Sequence, residues 1–145
     1  MHIQQATIEQ APLAATLACA LWPGNAVEAF TTDMQHFITS EDATIVLAFV
    51  EKEAVGFAQC QLRSDYVEGT NSSPVGYLEG VYVTPAFRTQ HIARYLIEAC
   101  EAWAKEKGCT EFASDCALEN TVSYDVHMRL GFTEANRIIC FTKSL

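Results

Sequence analysis

The chain has 145 residues, half of them hydrophobic, with eighteen acidic against nine basic side chains and a formal charge of −9. That length suits one domain with a sizeable apolar core, and the composition excludes wholesale disorder. The acidic balance argues against nucleic acid, whose phosphates need a basic face, and suits a cationic ligand.

No apolar run reaches membrane-spanning length; "TIVLAFV" has only seven residues. The opening "MHIQQATIEQ" lacks the basic start and apolar stretch of a secretory leader, so a soluble, cytoplasmic protein is expected. Cys19, Cys60, Cys100, Cys109, Cys116 and Cys140 form no CxxC pair and match no zinc or iron–sulfur spacing. They are expected as free thiols, several of them buried as small hydrophobes in a reducing compartment, with no metal.

In chain order, "HIQQATI" reads as a first strand and "IEQAPLAATLACALW" as a helix ending near Pro23-Gly24. "NAVEAFTTDMQHFITS" is a second helix, with Val27, Phe30, Met34, Phe37 and Ile38 on one face. "TIVLAFVEKEAVGFAQCQLR" predicts two strands around a turn at Glu51-Lys52-Glu53, followed by a polar loop, "SDYVEGTNSSP". "VGYLEGVYV" is a strand that alternates only in part, and Gly76 and Gly80 point to a bulge or a close backbone approach. Ile92, Leu96, Ala99 and Trp103 recur at helical spacing to about Lys107, with Gly108 as the stop. A short strand at 111–115, a helix closed by Gly131 and a final strand, "TEANRIICFTKSL", complete the order β-α-α-β-β-β-α-β-α-β. This is an α/β (α+β) arrangement with a mixed central sheet. Strand 76–83, its helix and strand 111–115 form a βαβ unit, whose crossover should be right-handed.

Four groups of residues suggest chemistry. The turn Arg88-Thr89-Gln90-His91-Ile92-Ala93 lies at a helix start, where free N–H groups and the helix dipole favour an anion such as pyrophosphate. Without its customary glycines it reads first, on these residues alone, as an ordinary strand-to-helix connection. Glu79, flanked by Leu78 and Gly80 within a core strand, is costly if buried alone, so it should edge a wet cleft or meet a cation. Asp115 stands at a strand's C-terminal end, where open α/β sheets place their ligand crevice, or is a solvated strand-end acid. Asn120 suits a plain helix cap.

Element order and local residues together resemble the GNAT superfamily of N-acetyltransferases, over essentially the whole chain, 1–145. The family signature of Arg/Gln-x-x-Gly-x-Gly/Ala is matched by Arg88 and Ala93, with His91 in place of the central glycine. Asn120 opening the next helix and Gly131-Phe132 also match, with His127 where most members carry tyrosine. The strings "LWPG", "DYVEGT", "SSPVGYLEG", "EFASD" and "FTKSL" are more specific and resemble the short, dimeric branch of bacterial aminoglycoside 6'-N-acetyltransferases.

The resemblance implies acetyl transfer from acetyl-CoA, a co-substrate used without a metal, to the 6'-amine of an aminoglycoside, by direct transfer in a ternary complex within a homodimer. It implies cofactor contacts from main-chain groups of Val81, Tyr82 and Val83, from residues 88–93 and from Asn120, with the Val83 N–H polarising the thioester carbonyl. It makes Glu79 and Asp115 substrate contacts, with Glu79 as base or water-positioner. His127 is a candidate donor to the leaving thiolate, or a helix-face residue with no part in catalysis. Trp22 and Tyr66 are expected as walls of a sugar-binding cleft, Asn25 and Asn136 as further substrate contacts, and Asp65 and Glu68 as rim acids. Trp22 in core packing, a GNAT acting on a polyamine or a protein N-terminus, and an acyl-CoA-binding module without catalysis are the competing expectations. "IICF" is a candidate for pairing between subunits, against a central strand of the monomer.

Overall fold

The computed structural model describes all residues, Met1–Leu145. Its strands are β1 (His2–Gln5), β2 (Ala43–Val50), β3 (Glu53–Arg63), β4 (Val75–Val83) and β5 (Phe112–Ser114). Its helices are α1 (Ala11–Leu21), α2 (Val27–Thr39), α3 (Ile92–Glu106) and α4 (Thr121–Arg129), with short 3-10 turns at Ile8–Gln10 and Pro85–Phe87. The strands lie in the order β1-β2-β3-β4-β5. The first four pair antiparallel and β5 joins β4 in parallel across the α3 crossover, so the sheet is mixed as expected.

Helices cover both faces of this sheet. On one, α3 packs Ile92, Leu96, Ile97, Cys100 and Trp103 onto Val46, Ala48, Ala58 and Leu78. On the other, α1 and α2 bury Ala14, Ala18 and Met34 against Ile45, Leu47 and Phe57. Hence "TIVLAFV" reads as an unbroken apolar run: its alternate residues serve two cores, not one core and solvent. Burying a side chain such as Leu96, which is fully buried, contributes about 2 kcal/mol.

The expected irregularity of β4 is a bulge. Gln59 of β3 pairs with Gly80 and Cys60 with Leu78, which leaves Glu79 without a partner. Before the bulge the even positions face α3: Leu78 lies in that core, and a Cβ on Gly76 would meet Ala104 at 2.6 Å. After it the odd positions do, with Val81 and Val83 against α3 and Tyr82 on the α1–α2 side.

The expected final strand is corrected. Residues 132–145 have no regular secondary structure. Ile138, Ile139 and Phe141 are 66%, 81% and 88% exposed. β propensity is realised only where a neighbouring strand pairs with the segment, and within this chain none does. The cysteines are free: Cys60, Cys100 and Cys109 are buried, while Cys116 and Cys140 are exposed. No helix is long and apolar enough to cross a membrane.

Candidate active site

The bulge turns Glu79 towards the α1–α2 side, into a cleft of about 250 Å³ that it shares with Trp22, Phe30, Asp33, Phe37 and Gln59. Trp22, just past the end of α1, stands edge-on to Phe30 at 6.0 Å and to the fully buried Phe57 at 6.1 Å. Its indole lies over Gly80, where a Cβ would approach Cζ2 to 2.6 Å. Trp22 is thus both half-buried packing and a cleft wall. Tyr66 is 77% exposed in the loop after β3 and does not line this cleft.

Glu79 does meet a cation. The Arg63 guanidinium donates from Nε and Nη2 to Oε1 at 3.1 and 2.9 Å, and from Nη2 to Oε2 at 3.0 Å. Arg63 reaches Glu79 by lying along the sheet with its guanidinium 3.5 Å from the centre of the Tyr77 ring. The Tyr77 hydroxyl in turn donates to Asp115. Burial first, and then this bond to a carboxylate, hold the Tyr77 hydroxyl well above its ordinary pKa, so it remains a donor at any physiological pH. Glu79 and Asp115, read from the sequence as separate acids, are ends of one network. Its middle members, Arg63 and Tyr77, escaped sequence reasoning, as did the cleft residues Asp33 and Gln59.

Beside the cleft lies an open main-chain edge. Thr84 N–H donates to Val55 at 2.8 Å, and Val83 is paired with Gly56. Antiparallel alternation therefore turns the main-chain groups of Tyr82 towards β3, and those of Val81 and Val83 away from it. β5 pairs only as far as Leu78–Ser114, so the Val81 and Val83 amides face the fork where β4 and β5 part. The Val83 carbonyl accepts from Arg88 Nε at 3.0 Å. An extended thiol-bearing arm fits that fork through Val81 and Val83 but not through the main chain of Tyr82.

Above the fork begins α3. The N–H groups of Thr89, Gln90, His91, Ile92, Ala93 and Arg94 donate to no backbone carbonyl, which makes this turn a ready anion cradle. His91, where the family carries glycine, has φ +61°, and Thr89 has φ +69°. The glycine-type backbone is kept without the glycine, and the His91 side chain is exposed. Left-handed backbone costs a non-glycine residue about 1–2 kcal/mol, whereas glycine loses about 0.5–1 kcal/mol of chain entropy. His91→Gly should therefore raise stability by no more than about 1.5 kcal/mol and leave acetyl-CoA affinity unchanged, as denaturant melts and calorimetry will read.

His127 is not a free helix-face residue. Its Nδ1 lies 2.7 Å from the Ser123 carbonyl, its Nε2 lies 2.9 Å from Ser114 Oγ, and Ser114 Oγ donates to the Leu78 carbonyl at 3.2 Å. The imidazole is held at the last rung before the strands part. Asn120 caps α4, accepting from Ser123 N–H at 3.1 Å, which leaves its amide NH₂ for other contacts. Asn25 donates to the Trp22 carbonyl at 2.8 Å and orders the turn after α1. Asn136 donates to Glu68 at 2.8 Å and ties the C-terminal segment to the loop after β3. None of Asn25, Asn136, Glu68 and Asp65 lines the Trp22 cleft.

That loop is anchored by Glu111, which accepts from Asn71 N–H and Ser72 Oγ. The Ser72 bond first, then the Asn71 amide, lower the Glu111 carboxyl below its ordinary value. A lowered carboxyl pKa stabilises above the unfolded value and ceases to do so as pH falls through the folded one. The protection of amides 65–74 against exchange, relative to their intrinsic rates at each pH, should accordingly weaken as pH falls below the ordinary carboxylate range, and Glu111→Gln should show that weaker protection already at neutral pH.

The sequence matches the model of the Acetyltransferase (GNAT) family over residues 13–132. It is 42% identical over 123 residues, 85% of either chain, to the aminoglycoside N(6')-acetyltransferase type 1 of Salmonella typhimurium. It is 39% identical to the Stenotrophomonas maltophilia enzyme of the same name, over 99% of this chain and 93% of that one. Among solved structures, AAC(6')-Iy in complex with the bisubstrate analogue CoA-S-monomethyl-acetylneamine superposes with a TM-score of 0.95 at 38% identity, covering 99% of this chain and 98% of that one. An anion cradle at the start of α3, an open β4 edge below it and a match across most of the chain place this protein in the GNAT family of acetyltransferases.

Proposed function

We propose that this protein, acting over residues 1–145 as one domain in the cytoplasm, transfers acetyl from acetyl-CoA to the 6'-amino group of aminoglycoside antibiotics. The observation that carries this reading is that the acidic Trp22–Glu79 cleft adjoins the Val81–Val83 edge on the same strand, an edge that begins roughly 7 Å from Glu79 and reaches Val83 at roughly 13 Å. A polycation held by the cleft thus has an amine within reach of a thioester laid along that edge. The likeness to relatives named for this reaction supports the substrate.

Acetyl-CoA supplies the acetyl group and departs as the thiol. The amides at residues 89–94 and Arg88 receive its phosphates, while Asn120 lies at the start of the neighbouring helix. Val81 and Val83 receive the pantetheine arm, with the Val83 N–H directed at the thioester oxygen. The amine attacks only when neutral, so its proton leaves to Glu79 or Asp115, directly or through water. His127, fixed beside Ser114 at the fork, serves the departing sulfur. No cysteine lines the cleft. That supports direct transfer over a thiol-borne acetyl group. Acetylation removes one positive charge from the drug, weakens its hold on RNA phosphates and so confers resistance.

The exposed arm at residues 138–141 and the unpaired outer edge of β5 support a homodimer in which each arm adds a strand to its partner's sheet. Sedimentation should give a dimer at micromolar concentration, and Ile139→Asp with Phe141→Asp should give a monomer. A wild-type monomer would remove the dimer from the reading.

The function is tested by thiol release with tobramycin or kanamycin. Steady turnover is expected. A folded, acetyl-CoA-binding protein that acetylates no 6'-amino aminoglycoside sinks the proposal, and turnover restricted to a polyamine or a peptide N-terminus transfers it to those substrates.

A further inference from the structure

A cleft for a polycation has reason to gather carboxylates and none, on charge alone, to keep an arginine. Yet Arg63 is wedged between Glu79, one of the cleft's two acids, and the Tyr77 ring. Its side chain is 39% exposed and that of Glu79 is 19% exposed, so neither the pair's burial nor its solvation accounts for a bidentate fork with stacking. Such pairs add little to stability. They do fix geometry: the planar guanidinium sets the plane of the carboxylate, which a lysine cannot do.

A carboxylate offers about four lone-pair sites, and Arg63 occupies three of them. Roughly one acceptor site is left for a substrate ammonium, in a fixed direction. The same guanidinium rests on Tyr77, whose hydroxyl orients Asp115. Glu79 in the cleft and Asp115 outside its lining are therefore referenced to one stack of planar groups, which sets the spacing and angle between these two carboxylates.

We propose that Arg63 is the positioning residue of the aminoglycoside cleft: it presents Glu79 to the substrate in a single orientation and, through Tyr77, holds it in register with Asp115. This rests on the aminoglycoside reading above. Two opposed electrostatic effects follow. While Glu79 is charged, Arg63 aids binding by orienting it. Once Glu79 is neutral, Arg63 is an unpaired cation that repels the drug.

The test is a four-protein cycle of wild type, Arg63→Met, Glu79→Gln and the double variant. Tobramycin affinity is measured by calorimetry and kcat and KM by thiol release. Arg63→Met should weaken tobramycin binding about tenfold in the wild-type background and strengthen it in the Glu79→Gln background. That reversal of sign is not produced by a merely structural role. Acetyl-CoA affinity should be the same in all four, and Arg63→Lys, which keeps the charge without the fork, should restore only part of the lost affinity. Should Arg63→Met fail to fold, the Arg63→Lys comparison in both backgrounds carries the same prediction: loss with Glu79 present, and little change in the Glu79→Gln background. Equal losses in both backgrounds, or tighter binding by Arg63→Met alone, overturn the proposal. Wild type that binds tobramycin without acetylating it fails the functional reading and leaves this cycle legible. Wild type that binds none overturns both.

Discussion

Glu79→Gln is expected to lower kcat/KM for a 6'-amino aminoglycoside about a hundredfold or more, with little change in stability. Removing one charge from a close, partly desolvated pair costs about 2–5 kcal/mol of binding, and about 2.7 kcal/mol already amounts to a hundredfold in rate. The variant also leaves Arg63 facing the drug without its counter-charge, which adds to the loss. Stability should fall by only about 1 kcal/mol, because Arg63 retains its place on Tyr77 and is 39% exposed. Melting should therefore move by a few degrees at most for a chain of this size. Steady-state kinetics and a melting curve on the same preparation check both halves, and an unchanged kcat/KM would remove Glu79 from the substrate site. Asp115→Asn should be milder, since Asp115 is exposed and its nearest partner, Tyr77, is a neutral donor.

The second large effect comes from a single methyl group. Gly80→Ala places a Cβ 2.6 Å from Trp22 Cζ2, 2.7 Å from Cη2 and 3.0 Å from Leu21 Cδ2. An indole cannot bend away, and this one is hemmed in by Phe30 and by the buried Phe57. Either Trp22 leaves the cleft wall or the end of α1 shifts from β4, at a cost of about 1–3 kcal/mol. Aminoglycoside KM should rise about tenfold while acetyl-CoA KM holds, because the α3 cradle is untouched. A Trp22→Ala background should absorb the methyl: Gly80→Ala introduced there should change neither stability nor KM further. An additive second loss would show that Gly80 matters for something other than the indole.

Much of this arrangement was legible in the residues, for identifiable reasons. The even-handed apolar run of β2, the helical spacing of α3 and the glycine stops at 108 and 131 are local properties, and the elements followed them. The half-kept alternation of β4 betrayed its bulge for the same reason. Arg63 was invisible because its role depends on strand register: sixteen residues separate it from Glu79, and only the pairing of β3 with β4 shows that one side chain spans the distance. Ser114 and Tyr77 were hidden likewise. The C-terminal arm misled in the opposite direction. "IICF" has the composition of a strand, yet composition does not reveal whether a neighbouring strand is available in the same chain. Tyr66 matched a family string, but its placement in a loop left it exposed and away from the Trp22 cleft.

The unpaired residue in β4 has a consequence for what kinds of change this gene can survive. A strand has a phase, as a coding sequence has a frame, and Glu79 is where this strand changes phase. Upstream, the even positions turn their amides to β5, as Gly76 does in donating to Glu111. Downstream, the odd positions face the fork. Losing one residue at the bulge would leave every later side chain chemically intact and put it on the wrong face. Tyr82 would enter the α3 core, Val81 and Val83 would leave it, and the amides aimed at the fork would turn back to β3. Substitutions along β4 can tune the enzyme, but a one-residue deletion would silence it.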